Sequence, residues 1–140
     1  MVLDRTRESV DPLLSLIAKR FTMINPDLLT WCALLFSVFA GVFFYFSNPA
    51  SEHQNFFLLF AVFFVFLNGL FDAIDGKVAK LTHKASARGD FLDHVLDRYA
   101  DVFMVGALAL SSWCRPPIGL LAIVGVLLTS YMGTQAQAVS

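Results

Sequence analysis

Residues 67–101 read LNGLFDAIDGKVAKLTHKASARGDFLDHVLDRYAD. The stretch begins at the end of a Phe-rich apolar run, yet it carries Asp72, Asp75, Asp90, Asp93, Asp97 and Asp101. On a helix Asp72 and Asp75, three apart, share a face, and so do Asp93 and Asp97, four apart. Between the pairs lies a segment holding Lys77, Lys80, Lys84 and Arg88. Two helices joined by a short loop can turn such pairs toward one another. Converging carboxylates in a partly desolvated place repel unless they are protonated or bind cations, and ionisable groups within spans usually face a functional cavity.

Around this stretch the chain is strongly apolar. Of its 140 residues 57% are hydrophobic and fifteen are Phe, and the mean hydropathy is +0.67. That composition predicts an all-α polytopic membrane protein rather than a soluble domain. A formal net charge of −1 argues against nucleic acid as a partner. The two cysteines, Cys32 and Cys114, are too few for a disulfide or thiolate–metal framework. The first 27 residues are charged and interrupted, unlike a cleavable signal built around an apolar core.

Residues 3–22 mix charge with an apolar stripe at Leu13, Leu14 and Ile17, with Pro12 early in the segment. This predicts an amphipathic helix lying in the membrane interface. Four spans are expected after it. The first runs from Leu28 to Phe46 and the second from Phe56 through Phe71, with Asp72 and Asp75 on its last turns. The third begins near Gly89, holds its acids in its first half and is charge-free from Val102 to Cys114. The fourth runs from Pro116 to about Ser140. Each approximates the ~20 residues that a bilayer core requires.

Arg5, Arg7, Lys19 and Arg20 precede the first span, and Lys77, Lys80, Lys84 and Arg88 separate the second and third. The Ser47–Asn55 loop has no Lys or Arg, and Cys114–Pro117 has only Arg115. By the positive-inside rule the N-terminus and the 77–90 segment are cytoplasmic. Both acid pairs then meet at the cytoplasmic face. All-oxygen ligands favour Mg²⁺, Mn²⁺ or Ca²⁺, and two such ions would offset the four charges while offering open positions to a phosphate-bearing substrate.

The pattern Asp72-x-x-Asp75-Gly76-x-x-Ala79-Lys80, eight residues, then Gly89-x-x-x-Asp93-x-x-x-Asp97 resembles the motif of the CDP-alcohol phosphatidyltransferases. The spacing matches throughout, and Lys80 stands where the family has Arg. Lys keeps the charge but lacks the planar fork that binds phosphate bidentately. The resemblance implies one membrane domain over residues 1–140 and a fold usually of six spans, so the chain is expected to be truncated at its C-terminus. It implies a multi-pass enzyme of the cell membrane, usually dimeric, in phospholipid biosynthesis. A CDP-linked lipid donates its phosphatidyl-type group to an alcohol hydroxyl, and CMP leaves.

By position, the resemblance assigns Asp72, Asp75, Asp93 and Asp97 to two divalent ions, Mg²⁺ with Mn²⁺ as the other possibility. Asp97 is also the favoured catalytic base. Gly76, Lys80, Ser86 and Gly89 fall to the CDP-lipid, together with Pro26 and Thr30, which match a Pro-x-x-x-Thr element at the start of the first span. The wording "GDFLDHVLDRYAD" and "SYMGTQAQA" is most similar to archaeal members, the archaetidylinositol phosphate synthases, which join inositol phosphate to CDP-archaeol. Glycerol phosphate and serine are the alternative acceptors.

Other readings stay open at this point. Acids within spans also fit a divalent-cation or proton transporter, although these cluster near one face rather than at the midplane. Aromatic prenyltransferases use Asp-rich motifs too, but theirs begin with adjacent Asn-Asp, whereas Asn68 precedes Asp72 by four. An inactive relative is a third reading, favoured by Lys80 and the missing spans. Among the remaining polar residues, Asp101 is expected to pair with Arg98 and Asp90 to favour a helix N-terminus. Asn68 is expected to bond within the bundle, and His83 and His94 to be bystanders.

Overall fold

The computed structural model describes residues 2–139 and is helical throughout, with α1 over Val2–Arg20, α2 over Pro26–Phe46, α3 over Glu52–Leu81, α4 over Ala87–Leu110 and α5 over Pro116–Val139. Among the described residues α2, α3 and α5 are long and apolar enough to cross a membrane. The chain is a polytopic membrane protein. The expected third span, α4, falls short by composition. It carries Arg88, Asp90, Asp93, Asp97, Arg98 and Asp101, so its charge-free part, from Val102 on, is far shorter than a bilayer core.

Helix α2 starts with Pro26 at its first turn, where a missing N–H costs nothing, and Asp27 there complements the helix dipole. It packs on α3 through aromatic rings. Phe43 stacks on Phe64 at 5.5 Å and on Phe60 at 5.3 Å, and Phe36 meets Phe71 edge-on at 5.0 Å. Phe56, Phe63 and Phe66 point outward. The Phe-rich run therefore both packs and faces outward. Asn68 behaves as expected: its Nδ2 donates to the Ala33 carbonyl at 2.9 Å, a polar tie between two apolar helices.

Small residues let the other helices close in. A Cβ added to Gly41 on α2 would lie 2.8 Å from the Phe103 carbonyl oxygen of α4. One added to Gly119 on α5 would lie 2.3 Å from Cβ of Ala109. At the end away from the acids, Trp113 Nε1 donates to Ser47 Oγ at 2.8 Å, joining the two short connections there.

The N-terminal helix does more than the sequence reading expects. Ala18 is fully buried with Leu29, Ile74 and Val78, and Ile17 and Phe21 pack beside them. Leu13, expected in the apolar stripe, is exposed, because Leu14, Ile17 and Ala18 form the face turned inward. Lys77 of α3 forms an ion pair with Asp11 of α1. Thus α1 braces the acid-bearing end of α3.

The segment 77–90 is mostly not a loop. Lys77 and Lys80 lie on α3 and Arg88 on α4, leaving only residues 82–86 between the helices. His83 N–H bonds to the Lys80 carbonyl at 3.3 Å and Lys84 N–H to that of Ala79 at 2.9 Å, with His83 at φ 55°. This paired bonding is the Schellman ending, here with His in the left-handed position that Gly usually fills. Ser86 then caps α4, its Oγ accepting from Gly89 N–H at 3.1 Å. The tight turn brings the acids of α3 and α4 together at one end of the bundle.

Candidate active site

Asp72 and Asp75 on α3 and Asp93 and Asp97 on α4 converge as the spacing predicts. Asp72, Asp75 and Asp93 bring one carboxylate oxygen each within 4.8 Å of one another, and a ring nitrogen of His94 stands within the same distance of carboxylate oxygens of Asp93 and Asp97. Asp93 belongs to both groups. His94, expected to be a bystander, stands with the second group, though its side chain is exposed. The sequence signal was its place beside Asp93.

Asp75 is the most buried of the four, at 4% exposure. Asp75 Oδ2 and Asp93 Oδ1 are shielded from solvent and have no hydrogen-bond partner. Buried polar atoms are nearly always satisfied, and like charges this close repel. Two unpartnered anionic oxygens in an all-acid cluster fit a hard divalent cation, for which oxygen donors are the preferred set. Divalent-metal binding by these acidic groups is therefore chemically consistent with the residues present.

Two openings flank the acids. A narrow cleft of ≈40 Å³ between α2, α3 and α4 is lined by Pro26, Asp27, Thr30, Asp75, Gly76, Lys84, Ser86, Gly89, Asp90 and Asp93, among others. Thr30 Oγ1 donates to the Pro26 carbonyl at 3.2 Å, so these two residues form one wall. A Cβ on Gly76 would meet nothing within 4 Å; its absence leaves that wall open. Five of the six expected donor-site positions, Pro26, Thr30, Gly76, Ser86 and Gly89, thus surround one space. Lys80 does not line it, whereas Lys84, read from the sequence as one of several basic residues between the second and third spans, and Asp27, given no role there, do line it.

The second opening, ≈630 Å³ between α4 and α5, is lined by His94, Asp97 and Arg98 on one side and by Val126, Thr129, Ser130, Gly133 and Thr134 on the other. Arg98 Nη2 lies 3.5 Å from Asp101, the expected pair, and also 3.7 Å from Asp97. Its Nε is buried without a partner. Asp97 is thus set between the metal-competent acids and a hydroxyl-lined cleft.

The profile of the family described as CDP-alcohol phosphatidyltransferase matches residues 23–139, the whole of α2 to α5. The chain belongs to the CDP-alcohol phosphatidyltransferase family. As a member it is a membrane transferase of phospholipid metabolism, and the acid motif read from the sequence lies within the matched region.

The chain is 28% identical over 138 residues to the archaetidylinositol phosphate synthase of Pyrococcus horikoshii, a match covering 97% of this chain and 69% of that protein. It is 26% identical over 115 residues to the bifunctional IPC transferase and DIPP synthase of Archaeoglobus fulgidus, covering 82% of this chain and 21% of the relative. The protein of the same name from Aquifex aeolicus is 32% identical over 110 residues, covering 76% and 23%. The chain therefore spans about two-thirds of the first relative and under a quarter of the other two. No solved structure matches it significantly.

Proposed function

We propose that the chain transfers a phosphatidyl-type group, archaetidyl first among them, from a CDP-linked lipid to a hydroxyl of inositol phosphate. The new bond joins the acceptor oxygen to the lipid-bearing phosphorus, the bond from that phosphorus to the CMP oxygen breaks, and CMP leaves. The observation that carries this reading is the position of Asp97, which touches the acid cluster on one side and the α4–α5 cleft on the other. The acceptor hydroxyl approaches through that cleft, and Asp97 takes its proton. Arg98, whose Nε lacks a partner, offers a donor to the acceptor's phosphate, which favours inositol phosphate or glycerol phosphate over serine.

Asp72, Asp75, Asp93 and Asp97 would hold two Mg²⁺ ions, with Mn²⁺ as a substitute. When bound, such ions supply positive charge to the diphosphate and polarise phosphorus. Pro26, Thr30, Gly76, Ser86 and Gly89 flank the phosphate end of the CDP portion, the ≈40 Å³ cleft being too small for a whole nucleotide. The arrangement of Lys and Arg supports a cell-membrane enzyme with its N-terminus and site on the cytoplasmic side. The exposed apolar faces of α3 and α5 suit lipid and a second copy in a homodimer.

The test is product identity. The protein in vesicles with CDP-archaeol and Mg²⁺ receives inositol phosphate, glycerol phosphate or serine, and lipid products are resolved by mass spectrometry. Archaetidylinositol phosphate as the dominant product is expected. A serine product in excess would reject the acceptor reading. Mg²⁺ flux across the vesicle wall without CMP release would favour the transporter.

A further inference from the structure

Within the narrow cleft the charges are lopsided. Asp27, Asp75, Asp90 and Asp93 face it, and among its lining residues Lys84 is the one cation. Lys84 also lines an adjoining cavity of ≈450 Å³ with Trp31 and Arg88. Both lysines are exposed, but Lys80, the motif position, lines neither space.

The place of Lys84 is built from the backbone outward. Its own N–H closes the Schellman ending of α3 onto Ala79, which fixes where the chain leaves the helix. Its Nζ then reaches across to Asn25 Oδ1 at 3.0 Å. Asn25 sits where a helix N-cap would be, and Asn is a favoured cap, yet its side chain makes no cap bond to α2. The oxygen that could have capped α2 holds the Lys84 ammonium instead. An ammonium has three donors, so two remain for a ligand in the cleft.

We infer that Lys84, rather than Lys80, is the cation that grips the diphosphate of the donor. This rests on the reading of the cleft as the CDP site. The plainer role for Lys84 is orientation of the chain in the membrane, which needs no anion at all. The two roles differ in what they do to a nucleotide and to the same nucleoside without phosphates.

The experiment measures equilibrium binding of CDP and of cytidine to the full chain in Mg²⁺, for the native protein and for Lys84→Ala, Lys84→Arg and Lys80→Ala. Lys84→Ala is expected to weaken CDP by about tenfold or more, the loss of one charge-assisted hydrogen bond, and to leave cytidine unaffected. Lys84→Arg keeps most of the affinity, and Lys80→Ala costs less than Lys84→Ala. Should Lys84→Ala not fold, Lys84→Gln, which can still donate to Asn25 but carries no charge, serves the same comparison. A Lys84 variant that binds CDP as the native chain does, or that loses cytidine equally, overturns the inference, as does a larger loss in Lys80→Ala. A native chain that binds no CDP in Mg²⁺ rejects the donor reading beneath it.

Discussion

Asp75 on α3 and Asp93 on α4 stand with carboxylate oxygens no more than 4.8 Å apart, and each keeps one shielded oxygen without a partner. Asp93 alone belongs to both acid groups. Asp93→Asn should therefore abolish turnover and weaken Mn²⁺ binding at both positions, while Asp72→Asn should abolish turnover and weaken chiefly one. Mn²⁺ titration followed by electron paramagnetic resonance separates these outcomes. Near-normal turnover in either variant, with unchanged metal dependence, would contradict the two-ion reading.

Asp97 lies against the α4–α5 cleft with Arg98 at 3.7 Å. If it removes the acceptor proton, Asp97→Asn should depress kcat far more than it weakens metal binding. A working base must be deprotonated, so the native rate should fall as pH is lowered, and that acid limb should be missing from the residual rate of Asp97→Asn. A pH–rate profile of CMP release checks this. An unchanged acid limb in the variant would place the base elsewhere.

His83 occupies the left-handed backbone position at φ 55°. His83→Gly should stabilise the α3–α4 turn by about 1 kcal/mol, the strain a side chain brings there. His83→Val should destabilise it and loosen the register of Asp75 against Asp93. Thermal unfolding together with Mg²⁺-dependent CDP binding reads both effects. Equal stability of the Gly and Val variants would show that the turn is not under this constraint.

Gly119 faces Ala109 so closely that an added Cβ would lie 2.3 Å from it. Two backbones cannot move apart cheaply in a packed bundle, so Gly119→Leu should cost about 1–3 kcal/mol or more and widen the α4–α5 cleft. The expected kinetic sign is a raised KM for the acceptor with donor binding little changed. A variant with native thermal stability and native acceptor KM would contradict this packing.

Much of this architecture is legible in the sequence, for identifiable reasons. The spans α2, α3 and α5 announce themselves by length and hydropathy, and the i,i+3 and i,i+4 spacing of the aspartates fixes which faces meet. The apolar run alone underestimates α3, which continues through Gly76 and Lys77 to Leu81 because its last turns are held by α1 and by the Schellman bonds. Those bonds also hide in the sequence, since His83 stands where Gly would have marked the turn. Consequently Lys84 reads as one basic residue among several, and its approach to Asn25, 59 positions earlier, needs the folded chain. The α4–α5 cleft is invisible for the same reason: its hydroxyls on α5 carry no spacing signal until they face Asp97.

The most direct test is release of CMP from CDP-archaeol by the purified chain in vesicles, measured with and without Mg²⁺ and with and without inositol phosphate. Release that requires both, and that disappears in Asp93→Asn, is the predicted result. Release that proceeds after complete chelation of divalent ions, or that survives in Asp93→Asn, would contradict the assignment of the converging aspartates as the centre of the reaction.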